Sequence, residues 1–169
     1  MTSSVHGEDM KIEAASRSDI PTIMRIERGE GYARLVGRWD AEQHSAAIDS
    51  PTCRYYLARE GDDIAGFAIL QNVGSENQCL RLRRIAVQDA GRGTGSRLLG
   101  SLLKICFDDL GAHRVELFVF DDNERAHRAY LKNGFVEEGI VRDIHRDAEG
   151  NFRSMRLMSI LKPEWQRPA

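Results

Sequence analysis

A glycine-rich segment between a predicted strand and a predicted helix constrains the fold of this chain most. The segment "VQDAGRGTGSRLLGSLL" (residues 87–103) contains Gly91, Gly93 and Gly95. A strand that turns directly into a helix presents unpaired backbone N–H groups at the positive end of the helix dipole. Glycines there permit positive φ angles and a close approach of the backbone to a ligand. The segment therefore predicts a strand-to-helix turn that binds an anion such as a phosphate.

Arginines are concentrated around this turn. They are Arg81, Arg83, Arg84, Arg92 and Arg97, with Asp89 as the nearby acid. Such a cluster favours a multiply charged anion, although a glycine-rich turn beside solvated arginines is the alternative. Two familiar phosphate motifs fit poorly. "GTGSR" lacks the lysine of a Walker loop, and Gly100 does not fall at the third glycine of a dinucleotide fingerprint.

The periodicity of apolar residues predicts one mixed α/β domain. The predicted order is a strand, two helical regions, three strands, a helix, a strand, a helix and two strands. The strand–helix–strand passage across residues 79–120 predicts a parallel pair of strands in a largely antiparallel sheet, with a right-handed crossover. We expect a polar leader at residues 1–10, a single domain at residues 11–162 and a tail at residues 163–169, with helices on both faces of the sheet.

The strand "CLRLRRIAV" (residues 79–87) changes its apolar phase. Leu80 and Leu82 are even-numbered, whereas Ile85 and Val87 are odd-numbered. Since side chains alternate along a strand with period two, one extra residue at position 83 or 84 accounts for the change. The pattern predicts a β-bulge there.

Charge and composition narrow the possible partners. The formal net charge of −2 argues against a bulk electrostatic grip on nucleic acid or on anionic lipid. The polar N-terminus lacks the apolar centre of a signal peptide, and no apolar run approaches the length of a membrane span. We therefore expect a cytoplasmic protein that binds neither nucleic acid nor membrane.

The cysteines and histidines indicate no metal site. Cys53, Cys79 and Cys106 are odd in number and lack metal-ligand spacing, which is typical of reduced thiols in a cytosolic protein. The histidines also lack such spacing, so we predict no bound metal.

Two segments together resemble the GNAT superfamily of acetyl-CoA-dependent N-acetyltransferases. The family's first motif is Gln or Arg, two residues, Gly, one residue, and Gly or Ala, followed by a helix with paired leucines. Counting back from Leu98 and Leu99 places Gly93 and Gly95 on the glycine positions and leaves Ala90 at the Gln or Arg position. A second register, which places Arg92 and Gly95 on the motif, leaves Arg97 at the small-residue position; we prefer the first.

The second matching segment is "GAHRVELFVFDDNERAHRAYLKNGFVEEG" (residues 111–139). Here Asn123, Ala126, Tyr130, Gly134 and Phe135 have the family's spacing. The resemblance spans residues 11–162 and is strongest over residues 80–135. It also agrees with the predicted bulge, because proteins of this family splay the fourth strand from the fifth and bind pantetheine in the opening.

The resemblance implies roles for ten residues. Backbone groups of Ile85, Ala86 and Val87 would pair with pantetheine, and Gly93, Thr94, Gly95 and Ser96 would hold the pyrophosphate, with Arg92 substituting for the missing side chain at Ala90. Asn123 would contact the pantetheine arm, or merely cap its helix. Tyr130 would protonate the departing thiolate as the general acid, or merely pack against the core.

The resemblance further implies acetyl-CoA as co-substrate and a primary amine as acceptor, either a small molecule or a protein N-terminus or lysine. A protonated amine must lose its proton before attack, and Glu116, Glu27, Glu30 or water are the candidate acceptors of that proton. The arginines at positions 28, 34 and 38 argue against a polycationic acceptor. A non-catalytic acyl-CoA-binding module is the alternative function, and the resemblance leaves a homodimer open.

Overall fold

The computed structural model describes residues 10–29, 32 and 38–166, so Glu30 and most of the predicted leader lie outside the described residues. The strands are β1 (Lys11–Ala14), β2 (Arg54–Glu60), β3 (Asp63–Gln71), β4 (Cys79–Val87), β5 (Arg114–Phe120), β6 (Val136–Arg146) and β7 (Phe152–Leu161). The helices are α1 (Ile20–Glu27), α2 (Ala41–Ile48), α3 (Thr94–Lys104), α4 (Glu124–Lys132) and α5 (Lys162–Trp165). A π-helical turn, Ile105–Asp109, extends α3.

The strands form a single sheet in the order β1-β2-β3-β4-β5-β7-β6. Every neighbouring pair is antiparallel except β4 and β5, which are parallel and joined through α3. The mixed α/β class and the central parallel pair are confirmed. The predicted crossover connection is present, since a parallel neighbour requires a long connection and α3 supplies it.

The β-bulge predicted in β4 is present. Ile69 of β3 lies opposite Arg84, and the next residue, Leu70, lies opposite Leu82, so Arg83 is the extra residue. The bulge keeps Leu80 and Leu82 on the α3 side of the sheet and returns Val87 to that side, where it packs against Leu98. It therefore explains the phase change in the sequence.

The parallel pairing of β4 and β5 is short. Cys79, Leu80 and Arg81 pair with residues 114–116, and the pairing ends there. β5 then pairs along its whole length with β7 on its other side. Beyond Arg81 the two central strands separate, and this separation opens a slot in the middle of the sheet. The predicted splay is confirmed.

Helices cover both faces of the sheet, as predicted. On one face α3 packs into a core cluster that includes Leu99, Leu102, Leu80 and Leu82, and Tyr130 of α4 packs against the same cluster. On the other face Ile23 of α1 belongs to a second buried cluster. Each fully buried leucine contributes about 1.5–3 kcal/mol, so both faces hold the slot between them rigidly.

The N-cap of α4 is Asn123, whose side-chain oxygen accepts a hydrogen bond from the Ala126 N–H (3.2 Å). The alternative role considered for Asn123, that of a helix cap, is therefore the contact observed. Among the described residues, no helix combines the length and the apolar character that crossing a membrane requires.

Candidate functional site

Two grooves meet at the slot between β4 and β5. The first, here called the α3 groove, runs along the start of α3 and one side of α4; Val87, Gly95, Ser96 and Asn133 are among its lining residues. The second, here called the β5 groove, lies over β5 and the segment before α2; Trp39, Arg83, Phe118 and His145 are among its lining residues. Five residues line both grooves: Tyr32, Ile85, Asn123, Ala126 and Tyr130. The grooves therefore connect at Tyr130.

The glycines of the turn have different geometries. Gly91 and Gly93 have φ angles of 90° and 75°, which disfavour any side chain, and Gly93 is the N-cap of α3. Gly95 has no positive φ, and a Cβ built on it would meet no protein atom within 4 Å. Because Gly95 lines the α3 groove, a side chain there would occupy the groove itself.

The predicted ligand-binding residues divide between two surfaces. Ile85, Ala86, Val87, Gly95, Ser96, Asn123 and Tyr130 line the α3 groove. Arg92 and Thr94 instead line a separate polar hollow beside the β2–β3 turn. The structure therefore brings together most of the predicted set at the start of α3, with Arg92 and Thr94 on the far side of the turn.

The backbone of β4 presents polar groups to the slot at alternate residues. The Val87 N–H donates to the Tyr32 hydroxyl, which in turn donates to the Val87 carbonyl, both at 3.1 Å. The Gln88 N–H points the other way, toward Ala65 of the β3 side. Backbone N–H and carbonyl groups alternate in direction along an antiparallel ladder. The backbone groups of Ile85 therefore point into the slot, as those of Val87 do, whereas the backbone groups of Ala86 point toward β3. The Tyr32 hydroxyl, which the sequence analysis did not identify, thus satisfies both backbone hydrogen-bonding groups of Val87.

Tyr130 lies on α4 at the junction of the two grooves. Its ring packs at a centroid distance of 5.6 Å from Phe135, and the side chain is half-buried. Burial raises the pKa of the Tyr130 phenol well above its ordinary value, and the neighbouring Tyr32 raises it further. The hydroxyl therefore remains protonated across the physiological pH range and can donate a proton to an anion that forms beside it.

A side chain that the sequence did not point out joins the two helices of the α3 groove. Asn133 Nδ2 donates hydrogen bonds to the Ala129 carbonyl (2.7 Å) and to Ser96 Oγ (3.3 Å). Nothing in the local pattern of Asn133 indicates a partner 37 residues away, and only the packing of α4 against α3 brings the two together.

The arginines predicted around the turn are mostly engaged elsewhere. Arg81 pairs with Glu116 (2.7 Å), Arg84 pairs with Glu27 (2.7 Å), and Arg97 pairs with Glu60. Arg84 is buried, because the bulge turns it to the α1 face of the sheet. The expectation of a joint arginine field around a phosphate is therefore wrong for these three side chains.

Of the carboxylates considered as proton acceptors, the two that the structure describes, Glu27 and Glu116, line neither groove. Burial alone would raise the pKa of Glu116, but hydrogen bonds from Arg81 and Arg114 outweigh it and lower that pKa, which makes Glu116 a weak base. Glu27 is fully buried between Arg84 and His44. Glu30 lies outside the described residues. Within residues 10–29, 32 and 38–166, no group of three or more His, Cys, Asp or Glu side chains is placed to hold a metal ion.

Comparisons with known proteins agree with this geometry. The sequence model of the acetyltransferase (GNAT) family matches residues 20–135. A Bacillus subtilis protein named "Uncharacterized N-acetyltransferase YoaA" is 34% identical over 71 residues, which span 42% of this chain and 40% of that protein. An Escherichia coli protein named "Uncharacterized N-acetyltransferase YedL" is 27% identical over 112 residues, which span 65% of this chain and 70% of that protein.

The architecture also matches solved structures. One of them is the crystal structure of spermidine N-acetyltransferase from Vibrio cholerae in complex with CoA and spermine. It superposes with a TM-score of 0.81 at 19% identity, over 94% of this chain and 98% of that one. At that level of identity the likeness concerns the fold.

Proposed function

Because the chain belongs to the acetyltransferase (GNAT) family, we propose that it transfers the acetyl group of acetyl-CoA to the nitrogen of a primary amine by direct attack. The observation that carries this proposal is the meeting of two grooves at Tyr130, where β4 separates from β5. One groove leads to the N-terminus of α3, which suits a pyrophosphate, and the other leads away from it, which suits an acceptor.

The α3 groove fits the co-substrate. Backbone N–H groups at the start of α3, from Gly95 and Ser96, would bind the pyrophosphate, and the missing side chain at Gly95 leaves room for it. Ile85 and Val87 would pair with pantetheine as an added strand, and the pantetheine would then displace the Tyr32 hydroxyl from Val87. Acetyl-CoA supplies the activated thioester.

The chain's own groups would assist the transfer of the acetyl group. A backbone N–H of β4 would polarise the thioester carbonyl, which concentrates positive charge on the carbon that the amine attacks. A C–N bond forms, the C–S bond breaks, and its electron pair moves to sulfur, which takes the Tyr130 hydroxyl proton. Tyr130 regains a proton from solvent. The protonated amine would lose one proton to water before it attacks and a second after the C–N bond has formed, since neither Glu27 nor Glu116 lines the grooves.

The proposal is tested by mixing the protein with acetyl-CoA and a panel of primary amines that includes small molecules and peptides. Thiol release is measured, and mass spectrometry identifies the acetylated product. We expect an amine-dependent release of CoA that matches the product in amount. Binding of acetyl-CoA without turnover on any amine would instead support the non-catalytic acyl-CoA-binding module.

A further inference from the structure

Guanidinium groups cover three of the aromatic rings of the β5 groove. Besides Tyr32, Tyr130 and His145, the rings of Trp39, Phe118 and Phe120 line the groove. Each of these last three has at least one guanidinium over its face. Arg83 and Arg84 lie over Trp39 at 5.3 and 4.5 Å, Arg81 lies over Phe118 at 5.0 Å, and Arg153 lies over Phe120 at 3.8 Å. A cationic ligand binds an aromatic ring through the same face, so these faces are already taken by the protein's own cations.

Two of the cations that line the groove form no ion pair with a carboxylate of residues 10–29, 32 and 38–166. Arg84 is paired with Glu27, as described above. Arg83 and Arg38 also line the β5 groove, yet neither forms an ion pair with any carboxylate in the part of the chain that the structure describes. Their charge is therefore available to a ligand in the groove.

The arginines around the groove also act on His145, which lines it. Burial lowers the pKa of His145, and the charges of Arg153, Arg83 and Arg84 lower it further, against an opposing effect of Asp147. None of the described residues that line the groove carries a carboxylate. The potential in the groove is therefore positive, although the whole chain carries a net charge of −2.

We propose that the amine acceptor also carries a carboxylate, as an amino acid does, and that Arg83 and Arg38 bind this carboxylate in the β5 groove. This inference rests on the proposed function and names the substrate class of the same site. A guanidinium suits the role because its planar donors match the two carboxylate oxygens. The amine at the other end of the acceptor would then lie at the junction beside Tyr130, where both grooves meet.

The test uses the twenty L-amino acids, their carboxamides and spermidine as acceptors, and measures kcat/KM by thiol release with saturating acetyl-CoA. A carboxamide replaces the carboxylate by a neutral group of similar size. Its amine is also less basic and more often unprotonated, so the carboxamide is intrinsically more reactive than the amino acid. We expect the best amino acid to exceed its own carboxamide by about 10- to 100-fold, the range of a charge-assisted hydrogen bond, and to exceed spermidine by more. Equal rates, or a preference for spermidine, would overturn the inference.

Substitutions of Arg83 test whether this residue binds the carboxylate of the acceptor. Arg83→Glu should abolish the preference for the acid over the amide, and Arg83→Gln should reduce it with less effect on folding. Arg142→Glu, at an exposed position of β6 outside the grooves, makes the same charge change and should leave the preference intact. If Arg83→Gln folds with an unchanged preference, Arg83 does not bind the acceptor and the inference is wrong.

A binding measurement separates this inference from the proposed function. With CoA present, calorimetric titration compares each amino acid with its carboxamide without requiring turnover. Tighter binding of the acids supports the inference even if no acceptor is acetylated, in which case only the proposed function fails. Equal binding of acids and amides overturns the inference even if amines are acetylated.

Discussion

At the scale of single residues, the site depends on a few atoms whose neighbours are distant in the sequence. The Tyr32 hydroxyl binds the backbone of Val87, 55 residues away, and Tyr130 lies at the junction of the two grooves. A ligand could displace the Tyr32 hydroxyl, the Val87 N–H and carbonyl point into the slot, and the Tyr130 phenol is protonated and able to donate its proton. Single-atom substitutions can therefore separate their contributions.

The first prediction concerns Tyr130. Tyr130→Phe removes only the hydroxyl, so the fold and the affinity for acetyl-CoA should persist while kcat falls. General acid catalysis is typically worth about 10²- to 10⁴-fold, and a thiolate is a stable leaving group, so we expect about 10²-fold. Measurement of kcat and of the acetyl-CoA Kd for both proteins checks this. An unchanged kcat would make Tyr130 a packing residue, and a parallel loss of affinity would make it a binding residue.

The second prediction concerns Glu138 of β6. Hydrogen bonds from Arg114 (2.5 Å) and from Ser159 (2.6 Å) lower the pKa of Glu138 from 4.5 to about 2. A carboxylate whose pKa is lowered on folding stabilises the protein above the unfolded pKa of 4.5, and that contribution is lost as the pH falls through about 2. Because the side chain is 36% exposed, solvent screening limits the effect to about 0.5–1 kcal/mol.

Unfolding in denaturant tests this prediction. The free energy of unfolding of the wild type should exceed that of Glu138→Gln at about pH 6, and the difference should shrink steadily below about pH 4.5. A difference that stays constant between about pH 6 and pH 3 would show that the carboxylate's charge contributes nothing to stability.

At the scale of elements, a buried polar network joins four of them beneath the β5 groove. Glu27 of α1 pairs with Arg84 of β4 and contacts His44 of α2, whose other ring nitrogen lies 3.0 Å from the Tyr55 hydroxyl of β2. Burial lowers the pKa of Arg84 to about 10, so the guanidinium is still charged near neutral pH. Trp39, which lines the groove, packs against both Arg84 and His44 of this network.

The third prediction follows from the burial of this ion pair. Glu27→Ala leaves the charge of Arg84 buried without a partner, and it should lower the free energy of unfolding by about 3–5 kcal/mol. The double variant Glu27→Leu with Arg84→Met removes both charges and should recover most of that loss, as apolar replacements of buried pairs often do. Chemical denaturation measures both. A single variant within about 1 kcal/mol of the wild type would show that the pair is not coupled in this way.

Much of the arrangement of elements could be predicted from the sequence, because local patterns determine it. The change of phase around positions 83 and 84 indicated the bulge, and the closely spaced glycines indicated the start of α3. The pairing of distant side chains could not be predicted in this way. The sequence presented Arg84 as one of several exposed arginines, whereas the bulge turns it to the α1 face, where Glu27 neutralises it.

At the scale of the whole molecule, the site results from the gap between β4 and β5 in the middle of a single sheet. β5 pairs along its whole length with β7, and β4 pairs with β3 from Arg81 to Val87 around the bulge at Arg83, so the gap between β4 and β5 is bounded by paired strands on both sides. Helices α3 and α4 cover one mouth of the gap, and the segment around Trp39 covers the other. Under the proposed function, a ligand that enters along α3 would therefore meet an acceptor that enters along β5 within this gap.

Acetyl-CoA is proposed to bind along the N-terminus of α3. The Kd of acetyl-CoA for two glycine variants tests this binding most directly. Gly95→Val fills the α3 groove, whereas Gly100→Val places the same side chain on an exposed position of the same helix, where a Cβ also meets no protein atom within 4 Å. Calorimetric titration should give one site on the wild type, a similar Kd for Gly100→Val, and a Kd at least about tenfold higher for Gly95→Val, a loss of about 1.4 kcal/mol. Equal affinities of the two folded variants, or no binding to the wild type, would contradict the account.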